Sequence, residues 1–153
     1  MPVGLNGRSR SLRVSLIALL AAVMVAGVIA APGRVAADER DDLLTAVRAY
    51  FDAEVAGDTA AVWRMLAPSS PFKKAYSYEM YLLLVKQSHL RVKSYMVEEV
   101  LNVTDNIDRE GLPKVEKIGR VRVHVILTGE GGPDSEQRSE FTFLKEAGQW
   151  LKG

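Results

Sequence analysis

The 153-residue sequence contains no cysteine. That excludes disulfides, thiolate nucleophiles, cysteine metal ligands and a lipid-attachment cysteine. Histidine is almost as scarce, with only His89 and His124, and neither an HxxxH nor an HxH spacing occurs. No metal site is expected from so few ligands. No Gly-x-Ser-x-Gly turn supports a serine nucleophile. Gly129, Gly131 and Gly132 lie between strand-like segments rather than ahead of a helix, so they build no phosphate cradle. The two longest acid-free stretches lie before Asp38 and between Asp58 and Glu79. A basic excess is missing as well. Four arginines (Arg8, Arg10, Arg13 and Arg34) fall in the first 37 residues, leaving sixteen basic against nineteen acidic residues after them, a net charge of −3. Without a basic field, nucleic acid is excluded as a partner.

The acid-free beginning reads as a processing segment. Basic residues in GRSRSLR precede an apolar run from Val14 to Ala31 that only Ser15 and Gly27 interrupt. Pro32 and Gly33 end the run. Val35 and Ala37 then place small residues at the −3 and −1 positions of a signal peptidase cut. Cleavage after Ala37 is predicted, giving residues 1–37 as signal peptide and residues 38–153 as one periplasmic or secreted domain. The rival is an uncleaved inner-membrane anchor, for which an Ala-rich run of 18 residues is at the lower limit. Contact with a membrane is expected only in that case. No twin-arginine pair is present, so the ordinary secretory route is favoured over export of a prefolded enzyme, and no cofactor is expected.

Within the domain, Asp38 to Asp42 suits the positive end of a helix dipole. Leu43, Leu44, Val47, Tyr50, Phe51 and Val55 follow at three- and four-residue steps, predicting an amphipathic helix of about four turns. Gly57 is expected to close it in a left-handed cap. Asp58 then caps a short helix, Thr59 to Leu66, with Val62, Trp63 and Leu66 inward. Pro68, Ser69, Ser70 and Pro71 stop that helix. A third helix is predicted from Ser77, its N-cap, to about His89, with Met80, Tyr81, Leu83, Leu84 and Val85 on its apolar side.

The period then changes to two. Tyr95, Val97, Glu99, Leu101 and Val103 alternate with their neighbours, Asp105 to Pro113 is turn-like, and GRVRVHVILT puts Val121, Val123, Val125 and Leu127 on one side. Arg120, Arg122 and His124 take the other side. After the loop GEGGPDSE, a strand from Ser139 to Lys145 carries Phe141 and Phe143, and Glu-Ala-Gly-Gln turns the chain into Trp150 and Leu151. Helices followed by an antiparallel meander make the class α+β, because a sheet with one apolar face needs helices to cover it.

A helix ending in Ala-Gly-Asp, a short helix with an aromatic before a Leu, and a closing strand pair ending xxGQW together resemble the nuclear transport factor 2-like, or cystatin-like, superfamily. The resemblance spans roughly residues 39–153. It implies N-terminal helices packed in the concave face of a strongly curved antiparallel sheet, a cone, with Tyr50, Phe51 and Trp63 plugging its narrow side. The superfamily includes ketosteroid isomerase and polyketide cyclases. In the isomerase, the tyrosine seven residues before the corner glycine donates to the developing oxyanion, and Tyr50 falls at that position. The isomerase's base, an Asp in an Asp-Pro stretch, is missing from TAAVWRMLAPSSPFKKAYSY. Asp52, Glu54, Glu98 or Glu99 would have to point into a cavity near Tyr50 to replace it. Convex faces in this superfamily often pair, which suggests a homodimer through the side carrying Arg120, Arg122 and His124.

The functional expectation is therefore a non-enzymatic module that binds a small hydrophobic or amphipathic molecule, or an envelope protein. No residue is assigned a catalytic role. Tyr50, Trp63, Tyr78, Tyr81 and Tyr95 are the candidate ligand-binding residues, since aromatics at this density suit a pocket mouth or an interface. Lys73 and Lys74 read as solvated, and His124 as a half-exposed strand residue. An isomerase- or cyclase-like enzyme using Tyr50, and a membrane-anchored assembly subunit of a secretion machine, are the alternatives. A filled interior would mean a scaffold. An open one with several inward polar groups would mean a ligand site.

Overall fold

The structure is a computed structural model and describes residues 37–129 and 131–153. The segment assigned to signal peptide or anchor lies outside the described residues, apart from the backbone of Ala37. Among the described residues, no helix is long and apolar enough to cross a membrane.

Helix α1 (Ala37–Ala56) opens with Asp38 and Glu39 in its first turn, where acids meet the positive end of the dipole. Leu43, Val47, Tyr50 and Phe51 are all buried. Val55, expected on the same stripe, is instead 43 % exposed. The spacing explains the correction: the stripe 43, 47, 50, 51 continues to position 54, so Glu54 takes the inward place and Val55 turns outward. Gly57 adopts φ +68, the left-handed conformation that glycine enters without a Cβ penalty. Asp58 accepts a hydrogen bond from the Ala61 amide at 2.9 Å and caps α2 (Thr59–Met65).

Two elements depart from expectation here. Pro68–Pro71 stops α2 but also starts α3 (Pro71–Ala75), with Ser70 as N-cap, accepting from Lys73 N, and Pro71 at the first helical position. Serine before proline is a helix start as well as a break. Lys73, read as solvated, is partly buried instead. Its Nζ donates to Leu66 O at 2.9 Å and to Trp63 O at 3.0 Å, the latter shared with the Leu66 amide, at the C-terminal end of α2. Ser77 then caps α4 (Tyr78–Gln87) by accepting from Met80 N.

Four strands, β1 (Leu90–Asp105), β2 (Val115–Gly129), β3 (Ser135–Glu146) and β4 (Gln149–Lys152), form one antiparallel sheet in the order of the chain. The expected inner row Val121, Val123, Val125 and Leu127 is buried, as are Phe141 and Phe143. On β1 the strict alternation fails. Register shifts at Val92/Ser94, Val97/Glu99 and Val100/Asn102 let Val100 take a buried place while Glu99 faces Arg122 outside. β1 also starts at Leu90 and β3 at Ser135, earlier than the apolar pattern suggests, because their first residues pair with the far end of β2.

Buried Asn106 holds the β1–β2 connection. Its Nδ2 donates to the carbonyls of Asp108, Leu112 and Val115, and its Oδ1 accepts from Asp108 N. Ala147 and Gly148 both have positive φ in the β3–β4 turn, as a two-residue primed hairpin requires. Beyond β4, Leu66 bridges to Lys152, and Ala67 N donates to Lys152 O at 2.7 Å, so the chain between α2 and α3 covers the sheet's short edge. Helix α1 packs against both β1 and β4.

Candidate functional site

The inward stripe of α1 delivers two polar side chains to the core. Tyr50 OH donates to Glu54 Oε1 at 2.7 Å, one helical turn away. Burial raises the Tyr50 pKa well above the ordinary phenol value, and the adjacent Glu54 charge and hydrogen bond raise it further. Burial also raises the Glu54 pKa, against the opposing pull of the Tyr50 hydrogen bond and the Lys152 charge. Tyr81, from α4, is raised by its burial and by the Glu54 charge. Lys152, from β4, is only 2 % exposed. Burial lowers its pKa to about 8, although Glu54 acts in the opposite direction. Its Nζ lies 5.8 Å from the Phe141 ring centre and donates to Gly153 O. Two phenols, a carboxylate and an ammonium thus meet where α1, α4 and β4 converge. Tyr50 is hydrogen-bonded directly to Glu54, while Tyr81 and Lys152 act on it through their charge interactions alone.

Beside this cluster, Tyr50, Phe51, Glu54, Val92, Val125, Gln137 and Phe141 line a cavity of about 30 Å³. That is room for one or two water-sized groups. Pockets for small organic ligands run from about 300 Å³ upward.

The five expected ligand-binding residues do not share this cavity. Tyr50 is on its wall. Tyr81 stacks on Trp63 at 5.4 Å and on Tyr78 at 6.3 Å, and Phe72 meets Tyr81 edge-on at 6.1 Å. These rings bind α2, α3 and α4 into one aromatic layer, with Lys73 Nζ 5.3 Å over Trp63. Tyr95 lies apart, stacked on Phe51 at 5.1 Å and donating to Asp52 Oδ1 at 2.7 Å. Burial and the Asp52 hydrogen bond push its pKa up to about 12.

Glu54 is the site residue that the apolar pattern misses. A carboxylate reads as a solvent-facing residue, yet its position four residues after Tyr50 and three after Phe51 places it on their face. Lys152 escapes notice in the same way, since only its register opposite Phe143 shows that it points inward.

On the other side of the aromatic layer, α4 presents apolar residues to solvent. Met80 is 44 % and Leu83 47 % exposed, whereas both were expected inside. The helix buries only Tyr81 fully, and meets the core through its ring stack and the partly buried Val85. On the outer sheet face, Arg122 pairs with Glu99 at 3.0 Å and Glu140 at 3.4 Å, and His124, partly exposed, with Glu136 at 3.2 Å. Among the described residues, no group of three or more His, Asp or Glu could hold a metal ion.

No protein-family profile and no curated protein matches the chain. Among solved structures, the solution structure of a SEC-C motif containing protein from Rhodopseudomonas palustris is similar over 71% of this chain and 72% of its own. The TM-score is 0.48 and the identity 14%. The likeness is too slight to name a fold family.

Proposed function

We propose that the chain is an exported, non-catalytic α+β module that binds an envelope protein through the α4 face bearing Met80 and Leu83. One contrast carries the reading: the interior holds a cavity of about 30 Å³, while two large apolar side chains of α4 stand half-exposed. A filled interior suits a scaffold, and exposed Met and Leu beside partly exposed aromatics have the composition of an interface core. On the outer sheet face Arg122 is paired with Glu99 and Glu140, and His124 contacts Glu136, within the chain, which favours α4 over that face as the contact surface. The cone is part of the same proposal. Its support is the contact of α1 with both edge strands and the register shifts that bend β1.

The test is a photo-crosslinking amino acid placed at Leu83 and, separately, at exposed Thr104 in the exported protein. A discrete adduct at position 83, lost in a Met80→Glu variant of unchanged stability, is the expected result. Equal adducts at both positions, or none at 83, would sink the proposal. Sequencing the exported protein should find Asp38 as its first residue; a retained Met1–Ala37 segment in the membrane fraction would instead indicate an anchored assembly subunit.

A second reading has one specific observation behind it. Glu54 lies within 2.7 Å of Tyr50, the base-beside-donor arrangement that an isomerase- or cyclase-like enzyme needs. The small cavity weighs against it, because the substrate's reacting atoms must reach both groups. Turnover of an enolisable ketone that disappears in both Tyr50→Phe and Glu54→Gln would move the assignment to an enzyme.

A further inference from the structure

The cavity beside Glu54 has a one-sided chemistry. Its walls are three aromatic residues (Tyr50, Phe51 and Phe141), two valines (Val92 and Val125), Glu54 and Gln137. Tyr50 has its hydroxyl proton engaged on Glu54 Oε1. Gln137 directs one Nε2 hydrogen to Ser139 Oγ at 2.7 Å, and its carbonyl oxygen remains able to accept. The acceptors the two side chains can offer are a carboxylate and an amide oxygen. Acceptors set among aromatic rings are the recognition chemistry of a compact organic cation, which donates hydrogen bonds in some directions and rests its charge on ring faces in others. The volume limits the size. About 30 Å³ admits a single ammonium head with at most a methyl group.

We propose that the Glu54 cavity is a binding site for a small primary ammonium group, held by Glu54 and Gln137 and enclosed by Tyr50, Phe51 and Phe141. The site is separate from the α4 contact face and does not depend on it. Neutral molecules of the same size lack the charge that Glu54 offers to stabilise, and quaternary ammonium ions exceed the space. Lys152 does not line the cavity, but its charge acts on Glu54 and competes with an incoming cation. The groups that act on Glu54 are Tyr50 from its own helix, Tyr81 from α4 and Lys152 from β4.

The test is a titration of the whole exported domain with methylammonium chloride, followed by the methyl NMR signals of Val92 and Val125. Saturable shifts of both valines are expected. Potassium chloride at the same ionic strength, tetramethylammonium and methanol should produce none. Gln137→Leu, at a partly exposed strand position, should keep the fold and weaken binding roughly tenfold, the equivalent of one charge-assisted hydrogen bond. Glu54→Gln should abolish saturation. Valine shifts that methanol reproduces at equal concentration, binding unaltered by both substitutions, or no saturable shift with methylammonium would each overturn the proposal.

Discussion

Glu54 and Lys152 set opposite demands on the same few ångströms of core. A carboxyl with a raised pKa in the folded state loses stability as pH climbs above its unfolded value, because the native form must give up a proton that it holds more tightly. A lysine with a lowered pKa behaves in reverse. Between about pH 8, where native Lys152 titrates, and about pH 10.5, its unfolded value, the unfolded chain binds more protons, so stability rises with pH. In urea melts, Lys152 should add on the order of 1–3 kcal/mol across that window. A Lys152→Met variant should show a flatter slope there; an unchanged slope would place the titration elsewhere. Tyr50→Phe should cost about 1–3 kcal/mol, since Glu54 loses its 2.7 Å donor while remaining inside. It should also move the Glu54 carboxyl titration, seen by carbon NMR, further upward.

At the scale of elements, the caps and corners were legible in the sequence and the sheet's irregularities were not. Gly57, Asp58 and Ser77 act as expected because each role is local: a backbone conformation or a side chain reaching two or three residues onward. The β1 register shifts have no such local signature, since a bulge is defined by the strand opposite. Helix α3 was hidden by the double meaning of Ser70-Pro71, and the exposed side of α4 by its uninterrupted apolar run. Two predictions belong at this scale. An added Cβ at Gly119 would come within 2.6 Å of Leu43 Cδ2 and 3.2 Å of Trp150, where α1 rests on β2. Gly119→Ala should therefore destabilise by about 1–3 kcal/mol in chemical denaturation. Lys73→Ala should cost roughly 1 kcal/mol by leaving Leu66 O without its donor, while Trp63 O keeps the Leu66 amide. Lys74→Ala, at an exposed neighbour, should change stability by less than about 0.5 kcal/mol.

For the whole molecule, the sequence established the α+β class and the order of helices before strands. The candidate site was legible only in halves. Tyr50 was legible from helical periodicity and the other tyrosines from their density, though not their stacking, whereas Glu54 and Lys152 are charged residues at inward positions, which hydropathy alone assigns to the surface. That α1 touches both the first and last strands has a further consequence. A sheet held at each margin by the same rod has no independent half to peel away: loosening β4 loosens the rod, and with it β1. Slow-exchanging amides in the two edge strands should therefore open together, at one free energy. Separate opening energies for β1 and β4 would mean that the rod does not couple them.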